Sequence, residues 1–374
     1  MTKHSIAQAL VALVCITFEC RSHALDSLQS EVLVDKDGTV HVPAFTVPLS
    51  SYMSAEAKRR FVEKIESERT IFDKDKDASI SMQRESVDTL IRPKVERAKA
   101  AYPVNIEERR IGGIRTHIVT PREGVASKNA GRVLINLHGG GFMVGGAGLH
   151  GSLESIPIAA IGKFKVITVD YRMAPEFKFP AASEDVASVY RALLKEYRST
   201  SIGIYGCSAG GLLTAMATAW FQKERLPVPG AIGILSAAAF GNFYPPGNVA
   251  GSWSGDSIFT TPPLVGERPL VDNQSQRLPS DSYLSNANLS DPLVSPAMSQ
   301  TVLAKFPPTL LVTGTRAYDM SAAVETQREM TKSGAKAELH LWDGMGHCFF
   351  LEEDLPESRE ALNVVAHFFD EHLH

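Results

Sequence analysis

The chain has 374 residues, 44% hydrophobic and 21% charged, which is an ordinary globular composition with enough apolar material for a large core. A formal net charge of −4 gives no electrostatic case for nucleic acid or an anionic membrane. The sequence carries no Cys/His spacing for zinc and no phosphate-cradling G-x-x-x-x-G-K-[ST] run, so neither a metal nor a cofactor is expected.

In chain order, Lys3, the apolar run Ile6 to Phe18 and the small residues of Ser22-His23-Ala24 read as a signal peptide over 1–24. The apolar run is short for a membrane span, so the expectation is a secreted or periplasmic protein without a stable membrane anchor. Cleavage after Ala24 removes Cys15 and Cys20 and leaves Cys207 and Cys348. A disulfide between these two would tie two loops together; two free, partly buried thiols are the expectation.

Residues 25–105 differ in texture from the rest. Ser54 reads as an N-cap for a helix from Ala55 to about Lys74, with Phe61, Ile65 and Phe72 on one face. A second helix is expected over Ile80 to Ala100, with Ile80, Val87, Ile91, Val95 and Ala98 inward and Pro93 kinking or breaking it. The charged run Asp73 to Asp77 lacks the glycine and closing glutamate of a calcium loop and reads as a solvated helix end.

From residue 106 strands and helices alternate. Strands are expected at Ile106–Ile111, Ile114–Val119, Val133–Leu137, Lys165–Val169, Ile202–Tyr205, Ile232–Leu235, Leu310–Thr313 and Glu338–Trp342. Helices are expected at Ala181–Tyr197, Ala209–Phe221, Ser321–Lys332 and Glu357–Glu371. This alternation argues for an α/β fold with a mostly parallel central sheet covered on both faces. Residues 240–300, rich in Gly, Pro, Ser and Asn with Phe240, Phe243, Tyr244, Trp253 and Phe259, interrupt it and read as a cap-like insertion lining a pocket.

Gly206-Cys207-Ser208-Ala209-Gly210 follows one strand and precedes a helix. That is a nucleophile elbow, a turn that lifts a serine hydroxyl clear of its own backbone. The pattern alone is weak, since about one chain in seven of this length carries it by chance. His138-Gly139-Gly140-Gly141-Phe142, about 70 residues earlier and also after a strand, makes coincidence a poor explanation. Its glycines leave backbone N–H groups free to face a developing oxyanion.

With Asp170-Tyr171-Arg172-Met173-Ala174-Pro175-Glu176, Asp291-Pro292 with Ser295-Pro296, and Gly344-Met345-Gly346-His347, the chain from about residue 105 onward resembles the bacterial hormone-sensitive-lipase family, family IV of the lipolytic esterases. The resemblance implies an α/β-hydrolase fold, N-terminal helices forming part of a helical cap, and a catalytic domain over 106–374. Position 207, most often Asp or Thr in that family, is Cys here.

The resemblance also implies roles. Ser208 is the nucleophile, His347 the general base and then acid, and the N–H groups of Gly140, Gly141 and Ala209 the oxyanion hole. Where the family carries its acid this chain has Ala317, and Asp319 lies two residues on. Two extended residues span up to about 7 Å, so the loop must curl differently for Asp319 to reach His347. The other reading of Asp319 is a helix-start residue favouring the helix dipole. Asp291 is read as structural, and Asp343 as too near His347. His138 is expected to hold the glycine loop, and Asp170, Arg172 and Glu176 to form a hydrogen-bond network behind it.

The implied activity is a serine carboxylesterase acting on small, short- to medium-chain esters without a cofactor. The alternatives are a deacetylase or an amide or lactone hydrolase on the same triad, or a ligand-binding member that has lost catalysis. Natural substrate and homo-oligomerisation stay open.

Overall fold

The computed structural model describes residues 32–36, 38, 40–41, 48–72, 79–241 and 280–374. The expected signal peptide, the Asp73 to Asp77 run, most of the 240–300 insertion and the side chains of Ile65 and Phe72 lie outside the described residues. Two compact units divide between Leu49 and Ser50. In the first, Leu33–Val34 pairs antiparallel with Val40–His41.

The second unit is built on an eight-stranded sheet. Its strands are β1 (Val104–Ile111), β2 (Ile114–Pro121), β3 (Val133–Leu137), β4 (Lys165–Val169), β5 (Ile202–Cys207), β6 (Ala231–Leu235), β7 (Thr309–Gly314) and β8 (Ala337–Trp342). Their spatial order is β8-β7-β6-β5-β3-β4-β2-β1. β2 runs antiparallel to β1 and to β4, and the remaining neighbours are parallel. The helices are α1 (Ala55–Phe72), α2 (Ile80–Ala101), α3 (His150–Gly162), α4 (Ala181–Leu193), α5 (Ala209–Lys223), α6 (Gln300–Leu303), α7 (Met320–Lys332) and α8 (Pro356–His372).

β3, β5 and β6 are buried at every position, as a sheet covered on both faces requires. Side chains still alternate between faces. Ile202 and Ile204 join a cluster with Val186 and Val189 of α4 and Leu213 and Met216 of α5. On the opposite face Tyr205 packs against Phe369 of α8, and a Cβ on Gly203 would collide with the same ring.

Pro93 does not break α2, which runs on to Ala101. Pro93 is exposed, so the carbonyl its missing N–H leaves unbonded can be hydrated rather than buried. α3 has no counterpart among the expected elements. It is buried from Gly151 to Ala159, so it lacks the one-sided apolar period that marks a surface helix.

α1 and α2 are held to the sheet domain through polar contacts. Ser54 caps α1 through the Ala57 N–H and also donates its own backbone N–H and hydroxyl to Glu357 at 2.6 and 2.9 Å. Arg84 of α2 donates to the Met143 and Ala174 carbonyls at 2.8 and 2.9 Å and grips Glu176 with both terminal nitrogens. Lys94 and Arg97 pair with Glu352 and Glu353.

Candidate active site

β3, β5, β7 and β8 end at one edge of the sheet, and the loops that follow them carry the residues of interest. After β5 the chain turns sharply into α5. Gly206 and Gly210 permit this: a Cβ on Gly210 would lie 1.7 Å from the Leu137 carbonyl oxygen, and one on Gly206 2.2 Å from the same atom. Between them Ser208 has φ 58° and ψ −123°, a conformation an L-residue adopts only when its surroundings impose it.

After β3, Gly140 has φ 117° and a Cβ there would lie 2.1 Å from the Val144 carbonyl oxygen. Met143 and Val144 both donate to the Gly140 carbonyl, so the loop closes as a tight turn. No acceptor among the described residues takes the N–H of Gly140 or Gly141. The Ala209 N–H is one of the donors at the start of α5. His138 is fully buried beneath this loop, its Nδ1 2.7 Å from the Gly139 carbonyl. The Tyr171 ring stacks on the imidazole, and its hydroxyl donates to the His138 carbonyl at 2.6 Å.

After β7 and β8, two loops are stitched together: Arg316 N–H donates to the Met345 carbonyl at 3.1 Å. His347 Nδ1 lies 2.7 Å from Asp319 Oδ1. The second carboxylate oxygen accepts from the Thr313 hydroxyl at 2.6 Å. The Asp319 side chain has no solvent exposure, and His347 is 14% exposed. Asp319 stands at the N-cap position of α7, but its side chain accepts no helix N–H. With Nδ1–H given to the carboxylate, Nε2 is the basic nitrogen. The Tyr318 hydroxyl sits 3.0 Å from that Nε2.

The other acids lie elsewhere. Asp291 Oδ1 accepts from the Leu293 N–H, and Asp343 accepts from the hydroxyls of Ser50 and Thr315, which hold its carboxyl below the usual range. Asp170 bonds Ala147 N–H and Arg115, Arg172 grips Asp185 and Glu184, and Glu176 meets Arg84. These are separate contacts rather than a single network behind the glycine loop.

Cys207 and Cys348 form a disulfide, with Cα atoms 6.5 Å apart. This corrects the expectation of two free thiols. The end of β5 and the loop after β8 bring the cysteines within bridging distance, which sequence separation does not reveal. The bond joins the residue before Ser208 to the residue after His347, so it holds the two loops side by side.

Glu154, Tyr318 and Thr313 carry no motif. Glu154 had one signal: it is the sole Asp, Glu, Lys or Arg between Leu137 and Lys163. It is buried on α3, where Oε1 accepts from Gly139 N–H at 2.7 Å and Oε2 from the Asn136 amide at 2.9 Å.

A family model described as alpha/beta hydrolase fold matches residues 134–351. An acetyl-hydrolase of Streptomyces hygroscopicus is 29% identical over 244 residues, 65% of this chain and 76% of that protein. An esterase of Acinetobacter venetianus is 24% identical over 288 residues, 74% of this chain and 87% of its own length. Among solved structures, an esterase named E25 aligns with a TM-score of 0.69 at 28% identity, covering 89% of this chain and 99% of that one. An esterase from the bacterial hormone-sensitive lipase family shares the fold, with a TM-score of 0.67 at 24% identity over 86% of this chain and 99% of its own. The matched span runs from the strand before the glycine loop to the turn after His347, more than half of the chain, and the protein therefore belongs to the alpha/beta-hydrolase family.

Proposed function

We propose that the protein is a serine carboxylesterase acting on small carboxylic esters. The observation that carries this reading is the buried Asp319–His347 bond, which orients one imidazole nitrogen as a base in a loop clamped beside Ser208. Ser208 Oγ attacks the ester carbonyl as His347 Nε2 takes its proton. Negative charge grows on the carbonyl oxygen, and the N–H groups of Gly140, Gly141 and Ala209 receive it. Collapse expels the alcohol, protonated by His347, and leaves an acyl group on Ser208. Water, deprotonated by His347, releases the acid by the same steps in reverse.

The relatives named acetyl-hydrolase and esterase support a short acyl group. The disulfide favours an oxidising compartment, in line with the leader-like start of the chain.

The test is a panel of nitrophenyl acyl esters of increasing chain length, run with wild type and Ser208→Ala. The expected result is hydrolysis of short esters and a loss of about 10⁴-fold or more in kcat in the variant, since a triad acts as a unit. Near-full turnover by Ser208→Ala would sink the mechanism. A wild type inert on every ester would move a ligand-binding role ahead.

A further inference from the structure

A buried carboxyl that the mechanism does not use lies directly behind the reacting groups. Glu154 Oε1 accepts from the N–H of Gly139, the residue before oxyanion donor Gly140, at 2.7 Å. Oε2 accepts from the N–H of Cys207, the residue before the nucleophile, at 3.3 Å, and from Asn136 Nδ2 at 2.9 Å. The Tyr205 hydroxyl reaches the Glu154 backbone carbonyl at 3.3 Å, which anchors the same turn of α3 to β5. The pieces meet closely: a Cβ on Gly139 would stand 3.4 Å from the Ser208 Cβ and 3.5 Å from Glu154 Oε1.

We propose that Glu154 is a positioning residue for the esterase reaction: its carboxylate holds the glycine loop and the nucleophile elbow at one fixed separation, and it does so best as the anion. This rests on the serine-esterase reading above. Each recorded partner of the side chain is an N–H donor, a set that matches a group able only to accept. Bonds to the anion are shorter and stronger than bonds to the neutral acid, so ionisation tightens both grips. The neutral acid must instead place its own proton. Asn136 Oδ1 is buried and lacks a partner among the described residues, so the amide can turn over and accept that proton. The carboxyl then loses one donor and binds the two backbone N–H groups less firmly.

Burial pushes the Glu154 carboxyl up from its ordinary 4.5, against the lowering effect of Asn136, Gly139 and Cys207, to about 8. The neighbouring histidines and phenols are shifted away from that range. Burial depresses His138, and it depresses His150, with help from His138 and Lys94, to about 3. Burial holds the Tyr171 and Tyr205 phenols well above their ordinary range, Cys207 is in the disulfide, and Asp170 is bonded to Ala147 N–H and Arg115. Of the groups so shifted, Glu154 is the one whose ionisation falls in the working range.

The experiment measures kcat and KM for a short nitrophenyl ester from about pH 6 to about pH 10 with wild type, Glu154→Gln and Asn136→Ala, beside melting curves over the same range. Wild-type kcat is expected to climb through an inflection near 8. In Glu154→Gln the side-chain NH₂ faces the Cys207 N–H, donor to donor. That variant should lose the inflection and drop roughly 10- to 100-fold in kcat with KM within about twofold, as small misplacements of reacting groups do. Asn136→Ala removes a donor to the anion and should move the inflection to higher pH.

The melting curves carry their own sign. A carboxyl raised on folding binds more protons folded than unfolded between the two values, so its stabilising contribution is lost as pH rises towards 8. Wild type should lose stability over that interval relative to Glu154→Gln. A Glu154→Gln enzyme with wild-type kcat and inflection would overturn the proposal. Should that variant not fold, an Asn136→Ala inflection unmoved from wild type overturns it equally. Esters left intact by wild type would fail the esterase reading alone, and the melting difference would still decide the ionisation of Glu154.

Discussion

Asp319, two residues beyond the position where the resemblance expects an acid, is the carboxylate that meets His347, and the surrounding residues show how. Ala317 is fully buried, its N–H turned back to the Gly314 carbonyl and its own carbonyl taken by Met320, so the loop tightens before α7 begins. That turn sends the Asp319 side chain inward to Thr313 and His347. Asn at 319 keeps the shape but replaces one acceptor oxygen with an NH₂ donor, and with that NH₂ facing Nδ1 it favours the wrong imidazole tautomer. Asp319→Asn is expected to cut kcat towards about 10⁴-fold with a cooperative melt retained. Stopped-flow turnover beside circular dichroism checks it; a variant within a few-fold of wild type would reduce Asp319 to a helix-start residue. Ser208 and His347 were legible because their flanking glycines form motifs. Glu154 and Tyr318 were not, since their partners come from β3, the glycine loop, the end of β5 and the loop after β8, separated by 15 to 53 residues in sequence.

At the scale of elements, strands were the most legible part. Val133–Leu137 and Lys165–Val169 stand where their apolar runs place them, because burial on both faces writes a near-continuous run into the sequence, interrupted only by Asn136 in the first and, after Lys165, by Thr168 in the second. The same burial hides α3, whose Gly151 and Pro157 further obscure its period. Gly151 is needed there, since a Cβ would stand 1.9 Å from the Thr168 methyl carbon. The disulfide links the end of β5 to the loop after β8 across a separation of 141 residues. Closing so long a loop removes much unfolded-state entropy, and Cys348→Ser is expected to lower stability by about 2–4 kcal/mol. Denaturant melts of the variant, and of wild type with and without a thiol reductant, measure this. Melts indifferent to both changes would show that the bond contributes no stability in solution.

At the largest scale, the second unit is a sheet domain with α1 and α2 attached in part through Arg60, Arg84, Lys94 and Arg97. Largely exposed pairs contribute little each, so attachment also relies on the buried Ala57, Val95 and Ala98, the Ser54–Glu357 bonds, and Arg84, which bonds the Met143 and Ala174 carbonyls as well. Mature protein from the native host should begin near Leu25, a mass that intact-protein spectrometry reads directly. An unprocessed N-terminus on reduced, cytoplasmic protein would contradict export and leave the disulfide without its compartment.

The central claim is that Ser208 forms a covalent acyl intermediate activated by His347. Treating the folded protein with a nitrophenyl phosphonate and mapping the adduct by peptide mass spectrometry tests it most directly. The account predicts one equivalent of nitrophenol released per chain, the phosphonyl group on the peptide bearing Ser208, and no adduct in His347→Ala. A stoichiometric adduct on another residue, or none on a protein that still hydrolyses esters, would contradict it.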